Sequence, residues 1–205
     1  RLCEVGAAYG WFLEAVEEHG IARELIAIEP SMSLANTCEK KGFHTITSPL
    51  ELAELSHLVD VVAAFEVIEH VFSPYDFLAK CLDLLNPGGF LFLSCPSVRG
   101  FDVQILGKAS GVFQHEHLNY FHPESVKVLL ERIGFQGVEV STPGLLDVDI
   151  VRSGLKEGLL NPSEIPWLGN FILRSDPNER QALQEFVQNT KESSHMFVMA
   201  RKPAT

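Results

Sequence analysis

No stretch of this 205-residue sequence approaches the roughly 18 consecutive apolar residues that cross a bilayer as a helix, so no membrane partner is expected. Positive charge is scarce: 16 Lys and Arg stand against 27 Asp and Glu, a formal charge of −11. Nucleic-acid binding needs a basic footprint, so a phosphate-backbone partner is excluded and a small substrate, or a neutral or cationic group, fits better. Cysteine is sparse. Cys3, Cys38, Cys81 and Cys95 sit among apolar residues with no CxxC spacing. They read as buried thiols of a cytoplasmic protein rather than as disulfide or zinc ligands. The dinucleotide fingerprint GxGxxG is missing, and no GKS or GKT follows the first glycines, which excludes a P-loop. The zinc motif HExxH also fails, because Asn119 stands where its second histidine belongs. Repeats and low-complexity tracts are absent as well. So is a signal peptide, but the chain opens at Arg1, directly in a strand-like run. A natural N-terminal segment is therefore expected to have preceded it.

What is present is an alternation of short apolar runs and helical patterns. Strands are expected at Leu2 to Val5, Leu25 to Glu29, Phe43 to Ile46, Val59 to Phe65 and Phe90 to Cys95, then at Gln136 to Ser141 and His195 to Arg201. The fourth, containing DVVAAF, reads as buried on both faces. Helices are expected from Gly10 to His19, from a Ser31 cap to Lys41, after Ser73-Pro74 up to a stop at NPGG (Asn86 to Gly89), and from Pro123 to Ile133. This alternation predicts a parallel sheet covered by helices on both faces: a single α/β domain over residues 1–205. Residues 142–194 hold Pro, Gly and an amphipathic stretch around Glu179 to Val187 but no clear strand. They read as a partly helical insertion before the last strand, not a second domain.

In such a sheet, ligands sit beyond the C-terminal strand ends. The first strand runs into EVGAAYG, Glu4 to Gly10, where glycines let the backbone turn tightly and approach a ligand. Glu29 ends the second strand, where a carboxylate can accept both hydroxyl hydrogens of a ribose. A tight turn with no ligand remains the alternative on this pair alone.

LCEVGAAYG, then IEP, DVVAAFEVIEHV and LLNPGGFLFLSCP resemble, in order and spacing, the motifs of class I S-adenosylmethionine-dependent methyltransferases. Within that class they look like the group of ubiquinone-biosynthesis O-methyltransferases and sugar or polysaccharide methyltransferases. The resemblance covers residues 1 to about 140 and the last strand. It implies a Rossmann-like, seven-stranded, mostly parallel sheet with an antiparallel last strand, and S-adenosyl-L-methionine as cofactor. Carried over by position, Glu4, Gly6, Ala7 and Gly10 lie against the methionine and ribose part. Glu29 holds the ribose hydroxyls, Pro30 and Met32 pack near adenine, and Phe65 and Glu66 face the methionyl end. Two positions depart from the family pattern. Ala8 replaces a glycine, and its methyl is expected to keep φ negative. TITSPLEL replaces the usual aspartate after the third strand, leaving Ser48 or a backbone carbonyl for the adenine amino group.

Methyl transfer to a hydroxyl or C–H needs a proton acceptor, and neutral histidine suits this near pH 7. His70, in EVIEHV, borders the pocket; either it touches substrate, or Glu69 and His70 only fix the loop. In FQHEHLNYF, Phe113 to Phe121, His115 and His117 could chelate only if extended, so no metal is expected. The segment EHLNYF resembles a loop of sugar C-methyltransferases, in which a Glu-His pair like Glu116-His117 takes a proton beside a keto group. That resemblance implies His117 as base; the alternative is that His117, Tyr120 and Phe121 only anchor the loop to the helix at Pro123. The expectation is thus an enzyme transferring methyl to a small molecule: a sugar, glycan precursor or quinone-like acceptor, O-methylation slightly ahead of C-methylation. A monomer or homodimer is expected. The competing reading is a protein that binds S-adenosylmethionine without turnover.

Overall fold

The computed structural model describes residues 1–205. Its elements follow the expected alternation: β1 (Leu2–Val5), α1 (Trp11–Glu18), β2 (Leu25–Ile28), α2 (Met32–Lys40), β3 (His44–Ile46), β4 (Val59–Phe65), α3 (Pro74–Leu84), β5 (Leu85–Pro96), α4 (Phe101–Leu106), α5 (Pro123–Ile133), β6 (Gln136–Ser141), α6 (Asp147–Glu157), α7 (Pro166–Arg174), α8 (Pro177–Asn189) and β7 (His195–Arg201). The seven strands order as β3-β2-β1-β4-β5-β7-β6. β1 to β5 run parallel, and β7 is antiparallel to both β5 and β6. The order reverses beside β1, so the C-terminal ends of β1 and β4 form the crevice where such sheets bind ligands. Because β7 runs the other way, its first residue, His195, lies at that same edge, paired with Pro96 at the end of β5.

Two cores flank the sheet. On one face Leu13 and Val16 of α1 and Cys38 of α2 pack on Leu2 and Ala27. On the other, Phe77, Leu78 and Cys81 of α3 and Val126 and Leu130 of α5 cover Ile26, Val62, Leu91 and Val198. All four cysteines are free and buried. Residues 142–194 contribute no strand: α6, α7 and α8 occupy the segment, and Val148, Val151, Leu155 and Ile172 build a small core of their own with Leu106 of α4. No helix is long and apolar enough to cross a membrane.

Several local expectations are corrected. Ser73 caps α3 as predicted, its hydroxyl accepting from Asp76 N at 3.3 Å. Ser31 occupies the equivalent place before α2 but makes no cap bond; Glu29 Oε1 accepts the Ser31 N–H at 2.8 Å. The carboxylate thus holds the backbone at the helix entry, while the Ser31 hydroxyl leaves the first-turn N–H groups without a side-chain cap. NPGG ends α3, but its residues belong to β5, which begins at Leu85 opposite Val59; a register irregularity between Val59 and Val61 absorbs them. A Cβ at Gly89 would lie 2.9 Å from the carbonyls of Asn86 and Asp60, so only glycine fits there. β4 is not buried on both faces throughout, since Asp60 is exposed. The connection after β5 is not a plain loop, as it carries α4.

Candidate active site

The β1–α1 turn is built on left-handed backbone. Gly6 has φ +73° and Gly10 φ +70°. A Cβ on Gly6 would fall 2.6 Å from Val67 Cγ2, so a side chain would fill the space over the turn. Ala8, expected to keep φ negative, has φ +46°. This conformation costs an L-residue roughly 1–2 kcal/mol. Hydrogen bonds on both sides hold it there: Ala8 N donates to Glu29 Oε2 at 2.9 Å, and the Cys38 thiol donates to Ala8 O at 3.4 Å. Glu29 accepts with both oxygens, from Ala8 N and Ser31 N, and so fastens the glycine turn to the entry of α2. Each carboxylate oxygen retains a lone pair for a further donor.

Beneath the turn Glu4 is buried, with Oε2 unpartnered. Burial, with the nearby Glu29 carboxylate adding to it, pushes its pKa up to about 8. A slot of ≈ 190 Å³ opens above, lined by Gly6, Glu29, Pro30, Leu50, Val67 and Val71 among others. Its walls are mainly apolar, as a flat heterocycle requires, and its polar end is Glu29.

The other proposed cofactor contacts lie apart from this slot. Met32 projects into solvent, 72% exposed. The Ser48 hydroxyl is turned onto Pro49 O at 3.1 Å. Ala7 is buried in the α1-side core. A Cβ on Gly10 would contact Cys38 Sγ at 3.2 Å, so that glycine serves turn packing. Phe65 meets Phe12 edge to face at 4.9 Å and stacks on Phe197 at 6.3 Å.

Beyond Glu66 a second cavity of ≈ 470 Å³ opens at the same sheet edge. Glu66 itself has φ +54°, a strained value for a glutamate, and its Oε1 accepts the Ser94 hydroxyl at 2.6 Å and lies 3.5 Å from His195 Nδ1. The loop of Phe113 to Phe121 closes one wall by zipping onto the loop after β4. Leu118 N and Asn119 N both donate to Glu69 O, Asn119 Nδ2 donates to Val71 O at 2.5 Å, and His70 Nδ1 donates to Glu116 O at 3.0 Å. The residue whose presence removes the zinc motif is therefore the main clasp of the loop. Phe121 is buried in the core, and His122 caps α5, its Nδ1 accepting from Ser125 N.

These clasps leave His117 its own setting. Its Nδ1 lies 2.8 Å from Val112 O, a pure acceptor, so Nδ1 carries the proton and the neutral ring keeps Nε2 as an acceptor. Its ring meets that of His70 edge to face at 4.9 Å. Glu116 does not orient it: that carboxylate lies 3.3 Å from the imidazole of His115, whose side chain is 95% exposed. The acid beside His117 is Glu69. It is 1% exposed with neither carboxylate oxygen partnered, and burial raises its pKa to about 7. One ligand atom each from Glu69, His70 and His117 lie within 4.8 Å of one another, a set that could hold a divalent cation.

The sequence assigns Glu69 only a loop-fixing role and His195 only the start of the last strand. The signal for His195 was available: an antiparallel last strand must start at the ligand edge. Its placement is tightly built. Asp147, from the insertion, accepts from the Ser193 and Ser194 hydroxyls and from Ser194 N, and a Cβ at Gly100 or Gly144 would collide with Ser194 or Ser193.

The fold, the glycine turn and the acid ending β2 are those of a class I S-adenosylmethionine-dependent methyltransferase. A family model described as a methyltransferase domain matches residues 1–140, and the chain belongs to that family. It is 30% identical over 152 residues to a ubiquinone biosynthesis O-methyltransferase of Caulobacter vibrioides, covering 66% of this chain and 60% of that protein. The chain thus spans about 60% of the length of this curated relative. Among solved structures it is similar to a SAM-dependent methyltransferase from Archaeoglobus fulgidus, with TM-score 0.66, 17% identity, and 98% and 86% of the two chains covered. It is also similar to Haemonchus contortus phosphoethanolamine N-methyltransferase 2 in complex with S-adenosyl-L-methionine, with TM-score 0.64, 18% identity, and 99% and 48% covered. At such identities these two structures speak for the fold alone.

Proposed function

We propose that the chain, as a single methyltransferase domain including the 142–194 insertion, transfers the methyl group of S-adenosylmethionine to a hydroxyl of a small polar molecule. The observation that carries this is the placement of two cavities at one sheet edge, with the Gly6–Glu29 cradle on one side of Glu66 and the histidine-lined pocket on the other. The residues of the cradle fit the cofactor: the slot above Gly6 is walled mainly by apolar groups, as adenine requires, and Glu29 has lone pairs left for a ribose diol.

The cofactor supplies an electrophilic methyl on a sulfonium, which leaves the protein mainly to position the acceptor and remove its proton. Glu29 would hold the ribose, Pro30 and Leu50 the adenine, and Glu66 would stand nearest the positive charge. His117 Nε2 would take the acceptor's hydroxyl proton as that oxygen receives the methyl group the cofactor supplies. Glu69, the buried acid next to it, would when ionised balance the positive charge the ring gains.

Titration calorimetry with S-adenosylmethionine tests the cradle. Wild type should bind, and Glu29→Ala, which loses the ribose acceptor and frees Ala8 N and Ser31 N, should bind at least tenfold more weakly, on the scale of a lost charge-assisted hydrogen bond of about 1.5–3 kcal/mol. No binding by wild type would defeat the enzyme reading. A second reading, supported by the Glu69, His70 and His117 donor set, is a metal-assisted transfer in which His117 ligates a divalent cation. It predicts that a chelator abolishes turnover and that Mg²⁺ or Mn²⁺ restores it; the first reading predicts no effect.

A further inference from the structure

The pocket beyond Glu66 has an unusual charge balance. Glu66, Glu69, Asp102 and Glu116 line it together with three imidazoles, and neither lysine nor arginine does. Two of its acids are deep in the protein: Glu69 is 1% exposed and Asp102 2%. Both Glu69 oxygens and Asp102 Oδ1 have no hydrogen-bond partner, while Asp102 Oδ2 accepts the Ser110 hydroxyl. Buried acceptors without donors are costly, and they are normally satisfied by protein, water or ligand. Only two hydrophobic residues face the cavity, so it offers little wall for an apolar ring.

We infer that the part of the acceptor entering this pocket is hydrogen-bond-donor-rich and not anionic: a hydroxyl-bearing ring or chain, or one carrying an amine, without phosphate or carboxylate. Hydroxyls and ammonium groups bring the donors that the orphaned acids lack. A phosphate or carboxylate brings only acceptors when ionised, and meets like charge on several sides with no cation to neutralise it. The same composition disfavours a quinol, whose flat apolar ring asks for hydrophobic walls. His195, fixed beside Glu66 by the Asp147 corner, and His117 stand on the pocket wall as donor or acceptor partners for such hydroxyls. The inference rests on the methyl-transfer reading for the purpose of the pocket and adds the class of molecule it takes.

The test uses full-length protein saturated with S-adenosylhomocysteine, with the ring protons of His117 and His195 followed by NMR. The probes are methyl glucoside, its 2-amino analogue, its 6-phosphate, the corresponding glucuronide, hydroquinone, and Mg²⁺ alone. The neutral and amino glycosides should shift both rings, a stronger response to the amine marking an ammonium site and an equal one a polyol site. The phosphate, the glucuronide and hydroquinone should bind at least about tenfold more weakly. In Glu116→Lys, which places a cation on the exposed rim, the gap between glycoside and phosphate should narrow. Equal or tighter binding of an anion or of hydroquinone overturns the inference. So does the absence of any glycoside response, or saturation by Mg²⁺ with glycosides inert. Binding of S-adenosylmethionine in calorimetry is read separately, so a silent pocket over an intact cradle removes this inference and leaves the methyl-transfer reading standing.

Discussion

The two cavities at the sheet edge handle their polar groups in opposite ways. In the cradle, Glu29 has each oxygen fixed by a backbone N–H, and Ala8 is held in a left-handed conformation from both sides. In the pocket, Glu69 keeps two buried oxygens without partners, and Glu66 leans on a hydroxyl and an imidazole. The cradle is made by backbone and is complete before any ligand arrives. The pocket is made by side chains whose hydrogen-bonding capacity is left open. A ligand recognised mainly by shape suits the first, and an acceptor recognised by its own donors suits the second.

The sharpest way to break this contrast is Gly6→Val. Its Cβ would lie 2.6 Å from Val67 Cγ2 at φ +73°. The clash and the positive φ would push the turn, and with it the floor of the slot, out of place, so affinity for S-adenosylmethionine should fall by roughly 10²-fold in calorimetry, with circular dichroism verifying that the sheet persists. Undiminished affinity would mean the turn is not the cofactor's seat.

His117→Ala probes the other side. With an acceptor in hand, kcat should drop on the order of 10²-fold while cofactor affinity stays level. A variant that loses stability but keeps its kcat would return His117 to a loop anchor.

Glu69→Gln separates an open acid from a compensated one. Burial raises the Glu69 carboxyl from 4.5 to about 7. Such a group binds its proton more tightly folded than unfolded. Its contribution to stability is therefore full below about pH 4.5 and declines as pH rises to about 7, beyond which the loss is complete. Glu4, raised to about 8, extends the same downward slope. The neutral isostere should match wild type near pH 5 and exceed its Tm at pH 8. A lower Tm at pH 8 would show that a cation, imidazolium or metal, already compensates the carboxylate.

The smallest effect compares two serines that look alike in sequence. Ser73→Ala should cost about 1 kcal/mol in chemical denaturation, while Ser31→Ala should stay within about 0.5 kcal/mol, because its hydroxyl makes no cap bond.

Much of the fold was legible because its signals are local. Apolar runs such as VDVVAAF, the Ser73-Pro74 start and Gly134 after α5 act within a few residues, and they placed the strands to within a position or so, except the start of β5, which lies five residues earlier than expected. The order EVGAAYG, then IEP, then EVIEH was enough for the family, and Gly6 and Glu29 do line one slot at the sheet edge. Tertiary structure alone decided which distant groups meet. Leu118 and Asn119 reach Glu69, His195 reaches Glu66 across the sheet, and Asp147 of the insertion grips the corner before β7. It also decided that Ser31 makes no cap bond while Glu29 accepts its N–H, that Glu116 turns to His115, and that Ala8 bears a positive φ. For the two carboxylates several partners were available. The winner is set by which chain segment the sheet order brings within about 3 Å, a distance over which hydrogen bonds form and which no one-dimensional spacing encodes.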